Sequence, residues 1–477
     1  MKNKKLLCTL LILVFCFLVM VINTILYVQS NSIEKNPDVY SYSQEEFPNS
    51  IEHLEGALKI KTVASYPFQE TDFSGYSAFI SYLKNTYPNV FKTCDLTMVN
   101  DWAILLKWNG KNNTLSPIIL TAHYDTVLYG SEVRHDDINI YGNGAIDDKG
   151  SVISILEAVS SLIKDGFTPQ RDIYLAFGCD EEIGGADGAS KIVEYFTTKN
   201  IVPDFVLDEG QPVFLFGNKK ISVLGIAEKG AVSVNIRAFA KGGHAAIPKK
   251  ETSVSKAAEL LLLLSKNPMK PTYNEQTINY LKNNVVNFDF WTNFLVANRF
   301  ILKPILDVKI LSTPTMMVNM GTTSSITSTW ASERRSIMPD EAGFFADYRI
   351  IPGQTIEDVK KHLDNVFKNQ DEISYSIQAI LEPKELSTTN SQGYQVLKKS
   401  MDTVYSGTNA VPHFIAGAGD SRLYRDITDK VYRFLPAEMT VEEYALMHSY
   451  DEYISIENFT RMMNFYKILI KNYDIKE

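Results

Sequence analysis

Three patterns of apolar and polar positions follow one another along the chain. Residues 6–28 form a nearly uncharged run of about 23, preceded by Lys2, Lys4 and Lys5. At 1.5 Å per residue such a helix is long enough to cross a hydrocarbon core of about 30 Å. Beyond residue 50 the runs shorten. Residues 117–122, 173–177 and 205–207 have the length of buried parallel strands, and the segments between them carry helical spacing, as at Val152, Ile155, Leu156, Val159 and Ile163. Strand and helix in turn predict a doubly wound α/β domain. After Glu228 the period becomes two, with Val232, Val234, Ile236 and Ala238 on one face of a half-exposed strand. This predicts a second, smaller α+β domain over 228–385, with a helix near 252–265, an aromatic-rich stretch over 288–311, a strand at "AGFFADYRI" and a helix after Pro352. The α/β pattern resumes at 386 and closes with an amphipathic helix near 455–471. The predicted order is an anchor (1–28), a polar spacer (29–50), the first part of the large domain (51–227), the inserted small domain (228–385) and the second part of the large domain (386–477).

The first run reads as an uncleaved membrane anchor. A secretory signal has a shorter apolar region ending at a small-residue site, whereas this one ends in "NTILYVQSN". Its positive flank is N-terminal, which predicts a single-pass topology with the remaining chain extracellular or in an organelle lumen. Composition is that of a globular protein, 22% charged and 45% hydrophobic, and the net charge of −9 argues against nucleic acid as a partner. Of four cysteines, Cys8 and Cys16 lie in the anchor; Cys94 and Cys179 alone make no disulfide framework.

Candidate chemistry sits directly after the apolar runs, in "PIILTAHYDT", "GNGAIDDKGS", "DIYLAFGCDEE" and "PDFVLDEG", with His448 near the C-terminus. Ligands of open α/β sheets gather beyond the carboxyl ends of the strands. There His123 can bind a metal through one ring nitrogen while Asp125 fixes the other. Asp147 can bridge two cations, since each carboxylate oxygen has lone pairs for a different metal. Adjacent glutamates can divide the work, Glu182 as ligand and Glu181 as the base that takes a proton from water. Asp208 and His448 complete mixed nitrogen and oxygen donor sets, the mark of a catalytic zinc site. Each element is weak alone; five in order at strand ends are a strong signal.

The series "TAHYDTV", "GNGAIDDKGS", "AFGCDEEIGG", "VLDEG", "KGGHAAIP", "YRIIPGQT" and "HSYDEYISIENF" resembles the di-zinc metallopeptidases that include aminoacylase, glutamate carboxypeptidase and carboxypeptidase S, above all the carboxypeptidase S and N-fatty-acyl-amino-acid hydrolase branch. The resemblance implies two Zn2+, one on His123, Asp147 and Asp208, the other on Asp147, Glu182 and His448. It implies a smaller, ferredoxin-like lid domain that also forms a homodimer, with His244 stabilising an oxyanion and Arg349 holding a substrate carboxylate. Two positions depart from the family pattern: Ser336 stands where the family has Asn, and the loop "GDSRLY" opens with Gly419. The expected activity is hydrolysis of the amide bond next to a free C-terminal carboxylate in a short peptide or an N-acyl amino acid. The competing expectations are an aminopeptidase with a related metal site and a membrane-anchored binding protein without turnover. The latter predicts a lost ligand or base, and none is lost. The aromatic stretch at Phe288, Phe290, Trp291, Phe294 and Phe300 reads first as packing and second as a wall for acyl chains.

Overall fold

The computed structural model describes residues 2–32, 46–127, 130, 132–217, 219–405, 408 and 410–474, so most of the predicted spacer, 33–45, lies outside the described residues. The chain divides into two compact units. One holds Glu34–Ala227 with Leu386–Glu477, the other Met1–Ile33 with Glu228–Glu385.

The larger unit is built on an eight-stranded sheet. Its centre is the three strands legible as apolar runs, Ile118–His123, Ile173–Gly178 and Phe205–Asp208, all buried throughout. Ile118–His123 lies between the other two and runs parallel to both. The sheet as a whole is mixed. Asp95–Val99 pairs with Ala103–Trp108 as an antiparallel hairpin, which adds antiparallel to Ile173–Gly178. A short turn can only join antiparallel strands, whereas the parallel centre needs helical crossovers. One crossover is the Lys149–Lys164 helix, packed against the Ile118–His123 strand and the C-terminal Ile456–Asp474 helix. Val152, Ile155, Leu156 and Val159 are fully buried there, each contributing about 1.5–3 kcal/mol by leaving water. The Lys149 ammonium is buried at the start of this helix and donates to Ala57 O at 3.2 Å and Ile60 O at 2.5 Å. It thereby ties the helix start to the preceding segment.

The smaller unit has a four-stranded antiparallel sheet in the order Thr323–Trp330, Glu341–Ile350, Gly230–Phe239, Ile373–Leu381. With the helices Ser253–Lys266 and Ile356–Phe367 after the first and third strands, the connectivity is β-α-β-β-α-β. The inward face is the one read from the sequence: Val232, Val234, Ile236 and Ala238 pack with Leu260, Leu264, Val359 and Leu363. Between Ser253–Lys266 and Thr323–Trp330 lies an insert of four helices, Glu275–Asn283, Phe290–Ala297, Arg299–Leu311 and Pro314–Met320, with its own core around Leu281, Val296, Leu306 and Ile310. The aromatic stretch belongs to this insert, where Phe294 is buried and Phe290, Trp291 and Phe300 are exposed. The N-terminal Lys2–Asn31 helix belongs to the same unit. It packs against Phe290–Ala297, with the Phe17 and Phe294 rings 5.7 Å apart.

Candidate metal centre

The carboxyl ends of the central strands carry the site. His123 is the last residue of its strand, and the parallel register sets it opposite Gly178. A Cβ on Gly178 would lie 3.6 Å from the His123 Cβ and 2.6 Å from Asp420 Oδ2, so glycine leaves room for both side chains. Glu181 and Glu182 follow in the short turn Glu181–Ile183. Asp147 lies just before the Lys149–Lys164 helix, in a loop that Gly150 lets close. A Cβ on Gly150 would fall 2.3 Å from Ala145 O.

Asp147 joins the two halves of the site. Its Oδ1 is 2.8 Å from His123 Nε2 and its Oδ2 is 2.8 Å from His448 Nε2. His448 Nε2 also lies 3.2 Å from Glu182 Oε1, and His123 Nε2 lies 4.0 Å from Glu181 Oε2. Asp125 lies behind His123: its Oδ1 is 3.3 Å and its carbonyl oxygen 3.1 Å from His123 Nδ1. It does more than the sequence suggested. Its two carboxylate oxygens accept the backbone N–H groups of Glu181 and Glu182, each at 3.1 Å, so one buried side chain fixes both the histidine and the glutamate turn.

The sequence reading expects Asp208 among the ligands of the first metal. Its Oδ2 accepts the Ser421 N–H at 2.8 Å, which anchors the "GDSRLY" loop. The neighbouring Glu209 instead places Oε2 3.5 Å from His123 Nε2 and groups with His123 and Asp147. The physical reason is strand alternation: successive side chains leave on opposite faces, so two adjacent acids at a strand end cannot both face the same partner. A second residue the sequence did not reveal is Glu452. Its Oε1 accepts from Gly144 N at 3.0 Å and Ile146 N at 2.9 Å and holds the Asp147 loop in place.

The electrostatics are those of crowded negative charge. Burial pushes the Glu181 carboxyl up to about 8, with His123 opposing and Asp147, Asp125 and Glu182 reinforcing. Burial and then the Asp147 charge raise Glu209 well above the carboxylate range. Asp147 stays below it, since His123 and His448 outweigh its burial. His448 is pushed up to about 10 by Asp147 and then Glu182. Two histidines face four carboxylates here, and the buried Glu182 Oε1 and His448 Nε2 meet no hydrogen-bond geometry although they face each other. A cation between such groups would satisfy both, and a mixed set of imidazole and carboxylate donors suits zinc.

The other predicted residues lie in the smaller unit. His244, on Gly243–His244, pairs with Ile337, and its Nδ1 accepts the Ala246 N–H at 3.1 Å. Ser336 adjoins this ladder, its carbonyl accepting the Ala245 N–H at 3.1 Å, so His244 and Ser336 are neighbours. Arg349 is exposed on Glu341–Ile350, opposite Ala231 on one side and Thr323 on the other.

Comparison with known proteins gives a consistent picture. The family described as Peptidase family M20/M25/M40 matches residues 119–472. A probable carboxypeptidase S-like 2 of Dictyostelium discoideum is 32% identical, over 97% of this chain and 92% of its own length. The N-fatty-acyl-amino acid synthase/hydrolase PM20D1 of Xenopus tropicalis is 30% identical, over 91% of this chain and 87% of its own. The fold is similar to that of the M20 family metallo-carboxypeptidase Sso-CP2 from Sulfolobus solfataricus, with a TM-score of 0.62 at 17% identity, covering 91% of this chain and 100% of the other.

Proposed function

From the premise that the chain belongs to peptidase family M20/M25/M40 and is a metallohydrolase, we propose that it cleaves the amide bond next to a free C-terminal carboxylate, in short peptides or N-acyl amino acids. The observation that carries this is Asp147 standing between two donor sets, His123 with Glu209 and Glu182 with His448. Two zinc ions fit these sets, with Glu209 rather than Asp208 completing the first. When bound they supply Lewis acidity toward the scissile carbonyl and acidify water.

The chain's own residues do the rest. Glu181 lies within reach of the donor sets without belonging to the Asp147 pair, and takes a proton from water and returns it to the leaving amine. Asp125 keeps His123 in one tautomer and seats the turn that carries Glu181. His244 donates to the developing oxyanion. Arg349 grips the substrate carboxylate through paired, charge-assisted hydrogen bonds, and Ser336 contacts substrate from the strand beside His244. The 228–385 unit acts as the lid and the dimerisation surface. The names of the relatives, a carboxypeptidase S-like protein and an N-fatty-acyl-amino acid synthase/hydrolase, support both substrate classes. The apolar run Leu6–Asn31, long enough to cross a membrane, serves as a retained single-pass anchor that leaves the enzyme outside the cytoplasm.

The deciding experiment assays the zinc-loaded full-length protein in detergent on matched free-acid, amidated and N-acylated substrates. Charged hydrogen bonds are worth about 1.5–3 kcal/mol each, so Arg349→Ala lowers kcat/KM on free acids by roughly 10- to 10³-fold and barely changes the slow amidated substrates. Equal loss on both, in a folded variant, removes the carboxypeptidase reading.

A further inference from the structure

The Arg299–Leu311 helix is apolar on both faces. Inward, Leu306 and Ile310 are fully buried in the insert core. Outward, Phe300 is 88% exposed, Ile301 73% and Val308 66%, with Ile305 and Leu311 on the same side. The preceding Phe290–Ala297 helix adds Phe290 and Trp291, the latter 62% exposed. A helix on the surface of a water-soluble unit presents polar residues outward. A contiguous apolar face of this kind marks a docking surface.

What covers it follows from its neighbour. Asn298, at the turn between the two helices, is 7% exposed. Its Nδ2 donates to Met20 O and Thr24 Oγ1, both at 3.2 Å, and Asn23 Nδ2 donates to Ala297 O and Asn298 Oδ1, both at 3.1 Å. With the Phe17 and Phe294 rings in contact, the insert is fastened to residues 17–24 of the N-terminal helix. Those residues lie within the Leu6–Asn31 apolar stretch, about 6 to 16 Å inward from residue 28 along the helix axis. Anything packed there sits at the depth of the hydrocarbon. The insert is equipped for it: helices satisfy their own backbone, and the polar turn is satisfied by the asparagine pair, the usual glue between membrane helices. Lys303 pairs with Asp307 at 2.7 Å beside the apolar face, and a lysine there can reach the headgroups with its stem along the face.

We propose that the Phe290–Ala297 and Arg299–Leu311 helices are a second membrane element, immersed in the bilayer leaflet that holds the C-terminal half of the N-terminal helix. The inference rests on that helix being retained, which the structure favours. Without it Asn298 loses two of the hydrogen bonds its amide donates, and Phe294 loses its contact with the Phe17 ring. The smaller unit, which carries Arg349 and His244, is then held at a lipid surface, where N-acylated substrates are concentrated.

The test uses the full-length chain, with its intact N-terminus verified by mass, reconstituted in phosphatidylcholine vesicles with and without lipids brominated on the acyl chains. Bromolipid is expected to quench a fluorescence component that disappears in Trp291→Phe. A nitroxide on Val308→Cys, in a Cys8→Ser and Cys16→Ser background, is expected to be more accessible to oxygen than to an aqueous nickel chelate. Val308→Cys keeps unchanged turnover of a short water-soluble substrate in detergent, which shows that it is folded. Unquenched Trp291 with a chelate-accessible nitroxide overturns the proposal in favour of an aqueous face. A nitroxide shielded from both, with the chain dimeric in detergent, overturns it in favour of a second copy. Neither readout needs hydrolysis, so an inactive enzyme that still shows quenching would sink the proposed activity and leave this inference standing.

Discussion

Glu181 and Glu182 sit on a turn whose backbone is held by Asp125, not by their own side chains, so either can be changed without moving the turn. Glu181→Gln is therefore expected to keep its zinc and to lower kcat by at least about 10²-fold, the usual worth of a general base. Glu209→Gln is expected to lose zinc instead, because Glu209 groups with His123 and Asp147, while Asp208→Asn retains it, since Asp208 serves the Ser421 backbone. Metal content by atomic absorption, beside kcat, separates the three. Zinc lost from Asp208→Asn and kept in Glu209→Gln would restore the sequence assignment. Which of two adjacent acids turns toward His123 depends on the neighbouring strand, and no periodicity in "VLDEG" encodes it.

Among the elements, the approach of the Lys149–Lys164 helix to the Asp147 loop depends on a missing side chain. Gly150→Ala would set a methyl 2.3 Å from Ala145 O, a backbone atom that cannot swing aside. The variant should unfold several degrees earlier, as a change of 1–3 kcal/mol does in a protein of this kind, and bind zinc more weakly. An unchanged Tm with normal zinc affinity would show that the loop yields freely. In the smaller unit, Lys229 is buried beside the Gly230–Phe239 strand and donates to Gly321 O at 2.7 Å. Burial, and then the Arg349 charge, lower its pKa to about 7. The unfolded chain holds this proton up to about pH 10.4, so between about 7 and 10 the unfolded state binds more protons than the folded one. Stability then rises with pH across that window by at most about 1.4 kcal/mol per unit. Lys229→Met is expected to flatten that part of the pH profile in denaturant titrations. An equal slope in both proteins would mean that Lys229 is charged in the fold.

For the whole molecule, metal and fold are linked. Buried carboxylates crowd at Asp147, Glu181, Glu182 and Glu209, and a cation bound only to the native state stabilises it by about 2.7 kcal/mol at a hundred times its dissociation constant. Chelation is expected to lower Tm in wild type, and by much less in Glu209→Gln, whose site is already weakened; equal shifts would assign the effect to another metal site. Local pattern along the chain set the elements and the chemical type of the site. Apolar runs, the switch from helical spacing to a period of two after Glu228, and the histidines and acids just past strand ends are local properties, written in residues a few positions apart. The rest came from packing between distant segments. It set the antiparallel edges around the parallel centre, turned Glu209 toward His123, and brought Glu452 to the Asp147 loop. It also seated the N-terminal helix on Asn298, some 270 residues away in the chain. Each of these depends on which faces meet when distant segments pack, and a pairing between surfaces leaves no period in either segment alone.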